Sequence, residues 1–180
     1  RGGGYVLVSM AAGLTIARLE EMLGFEAPIL RIMPNTPSAV GEGVIFYTCD
    51  GVTEEEKETF LTTMSGAGRL LPLDDHLMDA GSAVSGCGPA YAYLFIEALA
   101  DGAVACGLPR AKAMAYAAQM VAGAAKMVLE SGQHPGMLKD AVCSPGGTTI
   151  QGVRTLEEAG FRGAVMDAVI AAYEKNLDLA

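Results

Sequence analysis

The sequence contains no Gly-x-Gly-x-x-Gly spacing, no Cys-x-x-Cys pair, few basic residues and no uncharged run long enough to cross a bilayer. Each absence removes a class of function. The four cysteines, Cys49, Cys87, Cys106 and Cys143, are widely and irregularly spaced, and His76 and His134 are the only imidazoles, so no zinc site is expected. With no secretory segment in view, the four thiols read as reduced and the protein as cytoplasmic. Cys87 stands between Gly86 and Gly88 just before a helix, where a thiolate could be stabilised, but no histidine is placed by sequence to activate it. The uncharged stretch 113–125, between Lys112 and Lys126, and the longer one at 80–96, between Asp79 and Glu97, both fall short of the about 20 apolar residues that a span requires. Lys and Arg number 12 against 21 Asp and Glu, and the first 80 residues hold five of the former against twelve of the latter. No basic stripe is left for a phosphate backbone, which argues against nucleic acid as a partner.

What is present is enough to fold. A length of 180 residues with 51% apolar and 18% charged content supports a sizeable buried core. Residues 1–73 alternate between two periods. Compact apolar runs at 5–10, 28–33 and 43–48 and a short one at 69–73 read as strands. Residues 14–23, with Thr15 near their start, and the charged segment 54–65 read as helices. Such alternation predicts a parallel or mixed sheet of βαβ type. Ligands of such sheets bind outside the carboxyl ends of the strands, so residues 9–13 and 33–37 become candidate cleft loops. Ala11 and Ala12 are small enough for a flat ring to approach the backbone; tight strand-to-helix packing explains them equally well. Pro34 and Pro37 also read simply as turn rigidifiers.

From about residue 74 the alternation stops and helices take over. Gly88-Pro89 opens one that runs to about Cys106 with Gly107 as its stop, and Pro109 opens another that reaches about Ser131 before Gly132. Neither has a polar face: residues 91–96 are apolar all round, and 113–125 carry no charge. A helix apolar on every side must be covered on every side, and about 100 helical residues cannot enclose two such rods alone. An obligate oligomer is therefore expected, most simply a two-fold dimer with interlocked helices. Small residues from Ala117 to Ala125 permit close approach, and Met114, Met120 and Met127 read as adaptable core filler. The last helix, from Phe161 to about Leu179, has apolar positions at Phe161, Val165, Val169 and Ala172 with charge between them, so one face stays wet.

The best ligand site is residues 134–156: a short helix, a Ser144-Pro145-Gly146-Gly147 turn, then Thr148-Thr149 opening a second helix. Backbone N–H groups of Gly146, Gly147, Thr148 and Thr149 are expected to point outward, where the helix dipole favours a small anion such as a carboxylate. The alternative needs no ligand. Thr148 and Gln151 have the spacing of a capping box, which would occupy Thr148 and leave the Thr149 hydroxyl free.

A nucleotide-binding domain should open with strand, Gly-x-Gly-x-x-Gly and helix. Here the first strand is followed by Ala-Ala-Gly, and the chain starts at Arg1 without a methionine. The expectation is a fragment that begins in the later half of such a domain and lacks the pyrophosphate cradle and most of the cofactor affinity.

The motifs closely resemble one family, the pyrroline-5-carboxylate reductases. Leu138-Lys139-Asp140, Cys143-Ser144-Pro145-Gly146-Gly147-Thr148-Thr149 and Val153-Arg154-Thr155-Leu156-Glu157 are similar to its signature. Ser9-Met10-Ala11-Ala12-Gly13, Met33-Pro34-Asn35-Thr36-Pro37, Ser85-Gly86-Cys87-Gly88-Pro89-Ala90-Tyr91 and Gly107-Leu108-Pro109-Arg110 resemble its other landmarks in the same order. The resemblance covers essentially the whole chain. It implies an α/β partial Rossmann fold over residues 1–73, a doubly wound sheet lacking its first half, followed by an all-α helical dimerisation domain over 74–180 that also binds substrate. It implies NAD(P)H-dependent reduction of the cyclic imine 1-pyrroline-5-carboxylate to L-proline, with NADPH favoured over NADH, by a homodimer that can assemble into a decamer of five dimers. Ser144, Gly146, Gly147, Thr148 and Thr149 would hold the substrate carboxylate, with Thr149 as the catalytic residue that hydrogen-bonds the ring nitrogen. Asp75 falls where some relatives have a substrate-contacting Glu. Met10, Ala11, Ala12, Pro34, Asn35 and Ala141 would lie by the cofactor, although Ala141 replaces an Asn of some relatives and forfeits a side-chain contact. No metal is implied.

Two other readings remain. Another imine or β-hydroxyacid reductase of this architecture would place a catalytic Lys or Asp among the helices, where Lys126 and Lys139 are available. A purely helical oligomerisation module would account for the missing phosphate-binding turn.

Overall fold

A computed structural model describes residues 4–178. Four strands, β1 (Leu7–Ser9), β2 (Ile29–Met33), β3 (Gly43–Asp50) and β4 (Gly68–Pro72), form one sheet in the order β1-β2-β3-β4. Of the parallel and mixed forms that the alternation allows, the sheet takes the mixed one, because β2 and β3 are joined by a short 3₁₀ turn at Thr36–Val40 and not by a helical crossover. β1 runs parallel to β2, with Val8 opposite Leu30. β2 runs antiparallel to β3, with Ile32 opposite Tyr47, and β3 is parallel to β4.

All five residues of β2 are buried, because both faces of this inner strand are covered. Successive side chains point to opposite faces. Ile29 packs on one side against Ile16 and Leu19 of α1 (Ile16–Leu23), while Leu30 and Ile32 join Ile45 on the other, against Phe60 and Met64 of α2 (Glu54–Met64). The ends of both helices follow local rules. The Thr15 hydroxyl accepts from the Arg18 amide at 3.2 Å, and Thr53 with Glu56 forms a reciprocal capping box.

After β4 come a 3₁₀ turn at Asp75–Leu77 and six helices: α3 (Met78–Ser85), α4 (Gly88–Ala105), α5 (Arg110–Ser131), α6 (Pro135–Ala141), α7 (Thr148–Glu158) and α8 (Phe161–Leu177). The expected start of α5 after Pro109 and its stop at Gly132 both hold, with Gly132 in the left-handed conformation. The expected end of α8 near Leu179 falls outside the described residues.

The chain divides into two compact units. One comprises residues 1–89 with 168–180, the other 90–167. The change of periodicity at 73/74 marks the end of the sheet, yet α3 stays with the sheet unit. Polar ties explain this: Asp75 and Asp79 pair with Arg31 of β2, and the Asn176 side chain donates to the Asp79 carbonyl at 3.2 Å. In the other unit, α4 and α5 meet through Ala100, Ala113 and Ala117, flanked by Ile96, Leu99, Val104 and Leu108. Alanine-sized contacts bring the backbones close but cover little of either rod. Tyr93, Leu94, Tyr116 and Leu129 are each about 60% or more exposed, and the Phe95 and Phe161 rings contact at 5.9 Å. On α8, Val169 and Ala172 are half-buried, whereas Phe161, Val165, Met166 and Ile170 are exposed. Among the described residues no helix is long and apolar enough to cross a membrane.

Candidate functional site

Because β1 and β2 are parallel, their carboxyl-end loops leave the same edge of the sheet. The structure therefore brings Met10, Ala11 and Ala12 to the edge that also carries Pro34 and Asn35. Met10 and Ala12 are exposed, and Ala11, Pro34 and Asn35 are half-buried. The first loop is drawn back by a long contact from the Ala11 amide to the Ser9 hydroxyl (3.4 Å). The second is held by Asn35, whose Oδ1 accepts from the Val44 amide at 2.9 Å and whose Nδ2 donates to the Ser85 carbonyl at 2.9 Å. The Asn35 side chain thus faces inward to the protein, and what the loop offers at its surface is mainly backbone.

Arg31 is fully buried in the otherwise apolar β2. Its guanidinium donates to Asp75 Oδ1 at 2.8 Å and approaches Asp79 Oδ1 at 3.7 Å, while Asp75 Oδ2 accepts from the Ile16 amide, the first of α1, at 3.1 Å. Asp75, the expected substrate contact, has a structural task within the chain. Both its carboxylate oxygens are engaged within the chain, neutralising a buried cation and capping α1. Sequence reasoning passed over Arg31, although one guanidinium in the run Ile29-Leu30-Arg31-Ile32-Met33 was the signal of a buried partner.

In the other unit, α6 closes at Ala141, and the Cys143 amide donates to the Asp140 carbonyl at 3.0 Å. The chain then reverses through Ser144–Gly147, where the Gly147 amide donates to the Ser144 carbonyl at 3.0 Å. Pro145 in the second place and Gly146 at φ 68° in the third give a type II turn, which needs a residue free to adopt positive φ. Gly147 needs no positive φ, but a Cβ there would meet the Ser144 hydroxyl, which would have to turn aside.

Two expectations change here. The Gly147 amide is consumed by the turn and does not point outward. The capping box is not made either: Gly147 itself is the N-cap of α7, no side chain caps it, and Gln151 Oε1 accepts instead from Arg154 Nε at 3.2 Å. The amides of Thr148 and Thr149 open the helix, where no intrahelical carbonyl can reach them, and among the described residues neither has a partner. Both threonines and Ser144 are exposed. Two adjacent donors on the positive end of an eleven-residue helix, with a hydroxyl at Thr149, suit a carboxylate and a polar ring atom beside it.

Ala141 ends α6 three residues before this turn and offers only a methyl. Lys139, two residues earlier, is hydrogen-bonded to Asp140, which pushes its pKa above the ordinary lysine value and keeps it cationic. Lys126 lies on the surface, 3.5 Å from Glu130. The site residues thus form two groups, one at the sheet edge and one at the α6–α7 turn, with Asp75 committed to Arg31.

A family profile described as pyrroline-5-carboxylate reductase dimerisation matches residues 75–179. The chain belongs to the pyrroline-5-carboxylate reductase family. It is 49% identical over 176 residues to the pyrroline-5-carboxylate reductase of Pisum sativum and 48% identical over 176 residues to that of Escherichia coli K12, covering 97% of this chain in each case. It spans 64% and 65% of those relatives' lengths. The solved pyrroline carboxylate reductase of Plasmodium falciparum with NADP bound superposes with a TM-score of 0.90 at 41% identity, over 96% of this chain and 70% of that one. The reductase of Streptococcus pyogenes gives 0.91 at 35% identity, over 97% and 68%. The fold is accordingly a partial Rossmann sheet followed by the helical region of this family.

Proposed function

We propose that this protein reduces the cyclic imine 1-pyrroline-5-carboxylate to L-proline with NAD(P)H, the chain providing the substrate turn and the nicotinamide-side loops. The observation that carries the reading is the uncapped start of α7, where two exposed amides and a free hydroxyl follow a Ser-Pro-Gly-Gly turn in a member of this family. The substrate carboxylate is held by the Thr148 and Thr149 amides, with Ser144 and the Gly146 backbone at the rim and Gly147 as the fold of the turn. The Thr149 hydroxyl is the catalytic group: it hydrogen-bonds the ring nitrogen, directly or through water, and stabilises its protonated form. Reduction adds a hydride at C5 and leaves the nitrogen with its proton, which converts the C=N bond to a C–N single bond. A bound reduced nicotinamide supplies that hydride. Orientation contributes strongly to such a step, and anchoring the carboxylate would hold the imine in one pose for it.

Met10, Ala11, Ala12, Pro34 and Asn35 suit the nicotinamide end of the cofactor, since their edge is open and the two alanines leave room for a flat ring. Ala141 adds van der Waals contact at most. NADPH is the favoured donor, in line with the NADP bound to the Plasmodium falciparum relative. Residues 4–178 include no Gly-x-Gly-x-x-Gly turn to cradle a pyrophosphate, so the chain by itself binds dinucleotide weakly. Asp75 serves through the position of α1. The apolar flanks of α4, α5 and α8 are covered by a second copy in a homodimer, and five such dimers make a decamer. The working location is the cytoplasm, and the 73/74 boundary is taken as the junction of the nucleotide-binding and helical domains.

A β-hydroxyacid reductase that works through a helical-domain lysine is disfavoured, because Lys126 and Lys139 are both engaged with surface carboxylates. The test is reduction of 1-pyrroline-5-carboxylate followed by loss of NADPH absorbance. Turnover that yields L-proline is expected, saturable in the imine and rising with NADPH into high concentrations. A folded oligomer that binds neither dinucleotide nor L-proline would instead mark a helical assembly module.

A further inference from the structure

Asn35 occupies the N-cap of a 3₁₀ turn, Thr36–Val40, yet its side chain makes no capping bond there. Its amide reaches across the chain instead. Nδ2 satisfies the carbonyl of Ser85, the last residue of α3, fifty positions away, and Oδ1 satisfies the amide of Val44 near the start of β3. A carbonyl in the last turn of a helix has no intrahelical donor, so the Asn35 side chain closes the carboxyl end of α3 while it holds the head of β3. Ser85 is buried and fixed in turn, its hydroxyl donating to the Gly81 carbonyl at 3.1 Å. The next two amides, of Gly86 and Cys87, both donate to the Ser82 carbonyl at 2.8 and 3.1 Å, which locks the segment that leads into α4.

We propose that Asn35 is a positioning residue: it clamps the 33–37 loop to the end of α3 and thereby sets where the Pro34–Asn35 backbone meets the reduced nicotinamide. The inference rests on the reductase reading and deepens it, because it gives Asn35 a role through the loop in place of side-chain contact with the cofactor. The chemistry of the clamp is specific to a primary amide. One planar group of this length must donate on one side and accept on the other. Aspartate keeps the acceptor for the Val44 amide but turns a second acceptor toward the Ser85 carbonyl, alanine removes both bonds, and glutamine keeps both functions one methylene further out.

The experiment is steady-state kinetics on the wild-type protein and on Asn35→Asp, Asn35→Ala and Asn35→Gln, with thermal unfolding of each. Wild-type turnover of the imine decides the reductase reading by itself. With that turnover in hand, the clamp predicts that Asn35→Asp, which retains the Val44 bond and the fold, raises the KM for NADPH on the order of tenfold and lowers kcat by a similar factor. Its KM for the imine stays within about twofold, since the substrate turn is elsewhere in the chain. Asn35→Ala shows the same split, and Asn35→Gln recovers part of the loss. A lower Tm with both KM values and kcat unchanged would reduce Asn35 to a structural residue and overturn the proposal, as would an equal rise in both KM values.

Discussion

Thr149 is the residue on which the chemistry turns, and its substitution separates two contributions. Thr149→Ala keeps the backbone amide and deletes the hydroxyl, so carboxylate anchoring survives while stabilisation of the ring nitrogen is lost. kcat should fall by about 100-fold with a smaller change in the imine KM, as for removal of one preorganised donor. Thr148→Ala, which also preserves its amide, should stay within a few-fold of wild type; if the two variants behave alike, the hydroxyl has no special part. Arg31 sits at the opposite extreme, fully buried behind the partly exposed carboxylates of Asp75 and Asp79. Arg31→Ala leaves the Asp75 and Asp79 carboxylates without their cation and should destabilise the sheet unit by about 3–5 kcal/mol, read by denaturant unfolding. An unchanged midpoint would show that the pair is not what holds α3 to the sheet. Little of this cluster was legible beforehand. A charged residue in an apolar strand announces that a partner exists, but Asp75 lies 44 residues away, and only the course of the chain brings it there. The inward turn of Asn35 was hidden for the same reason, because its partners belong to a different strand and a different helix.

Elements read better than residues, since their ends obey local rules. Thr15, Thr53, Pro109 and Gly132 mark helix boundaries through bonds and dihedrals that involve only a few neighbours. The α6–α7 turn was legible as a turn for that reason, while the state of its amides was not. Whether Gly147 or Thr148 stands at the N-cap depends on a one-residue shift, and that shift decides which donors stay open. Gly146 carries the test at this scale. Its φ of 68° makes Gly146→Ala unfavourable by about 1–2 kcal/mol, and the strain should appear as a higher imine KM together with a Tm lower by a few degrees. A pH effect belongs here too. Asp140 raises the Lys139 pKa by hydrogen bonding, so the pair's contribution is complete below 10.5, the unfolded lysine value, and is lost as pH climbs through the higher folded value. Unfolding curves of wild type and Asp140→Asn should therefore differ by a constant small amount near neutrality and converge only in strong alkali. Convergence already at neutral pH would contradict this pairing.

At the scale of the molecule, the exposed side chains of α4 and α5 argue for a partner. Tyr93, Leu94, Tyr116 and Leu129 are large apolar side chains left open to water on these two helices. Sedimentation analysis should give at least a dimer, and Leu94→Asp should shift it toward a monomer that binds a hydrophobic dye; a wild-type monomer at micromolar concentration would refute the dimer. The absence of a charged face made this legible from sequence, because a rod with no wet side must be enclosed whatever its tertiary context. The account stands or falls on the open end of α7. A crystal structure with L-proline at saturation measures it most directly. The account predicts the proline carboxylate within hydrogen-bond distance of the Thr148 and Thr149 amides, with the ring nitrogen toward the Thr149 hydroxyl. Proline bound elsewhere, with those two amides facing only solvent, would contradict it.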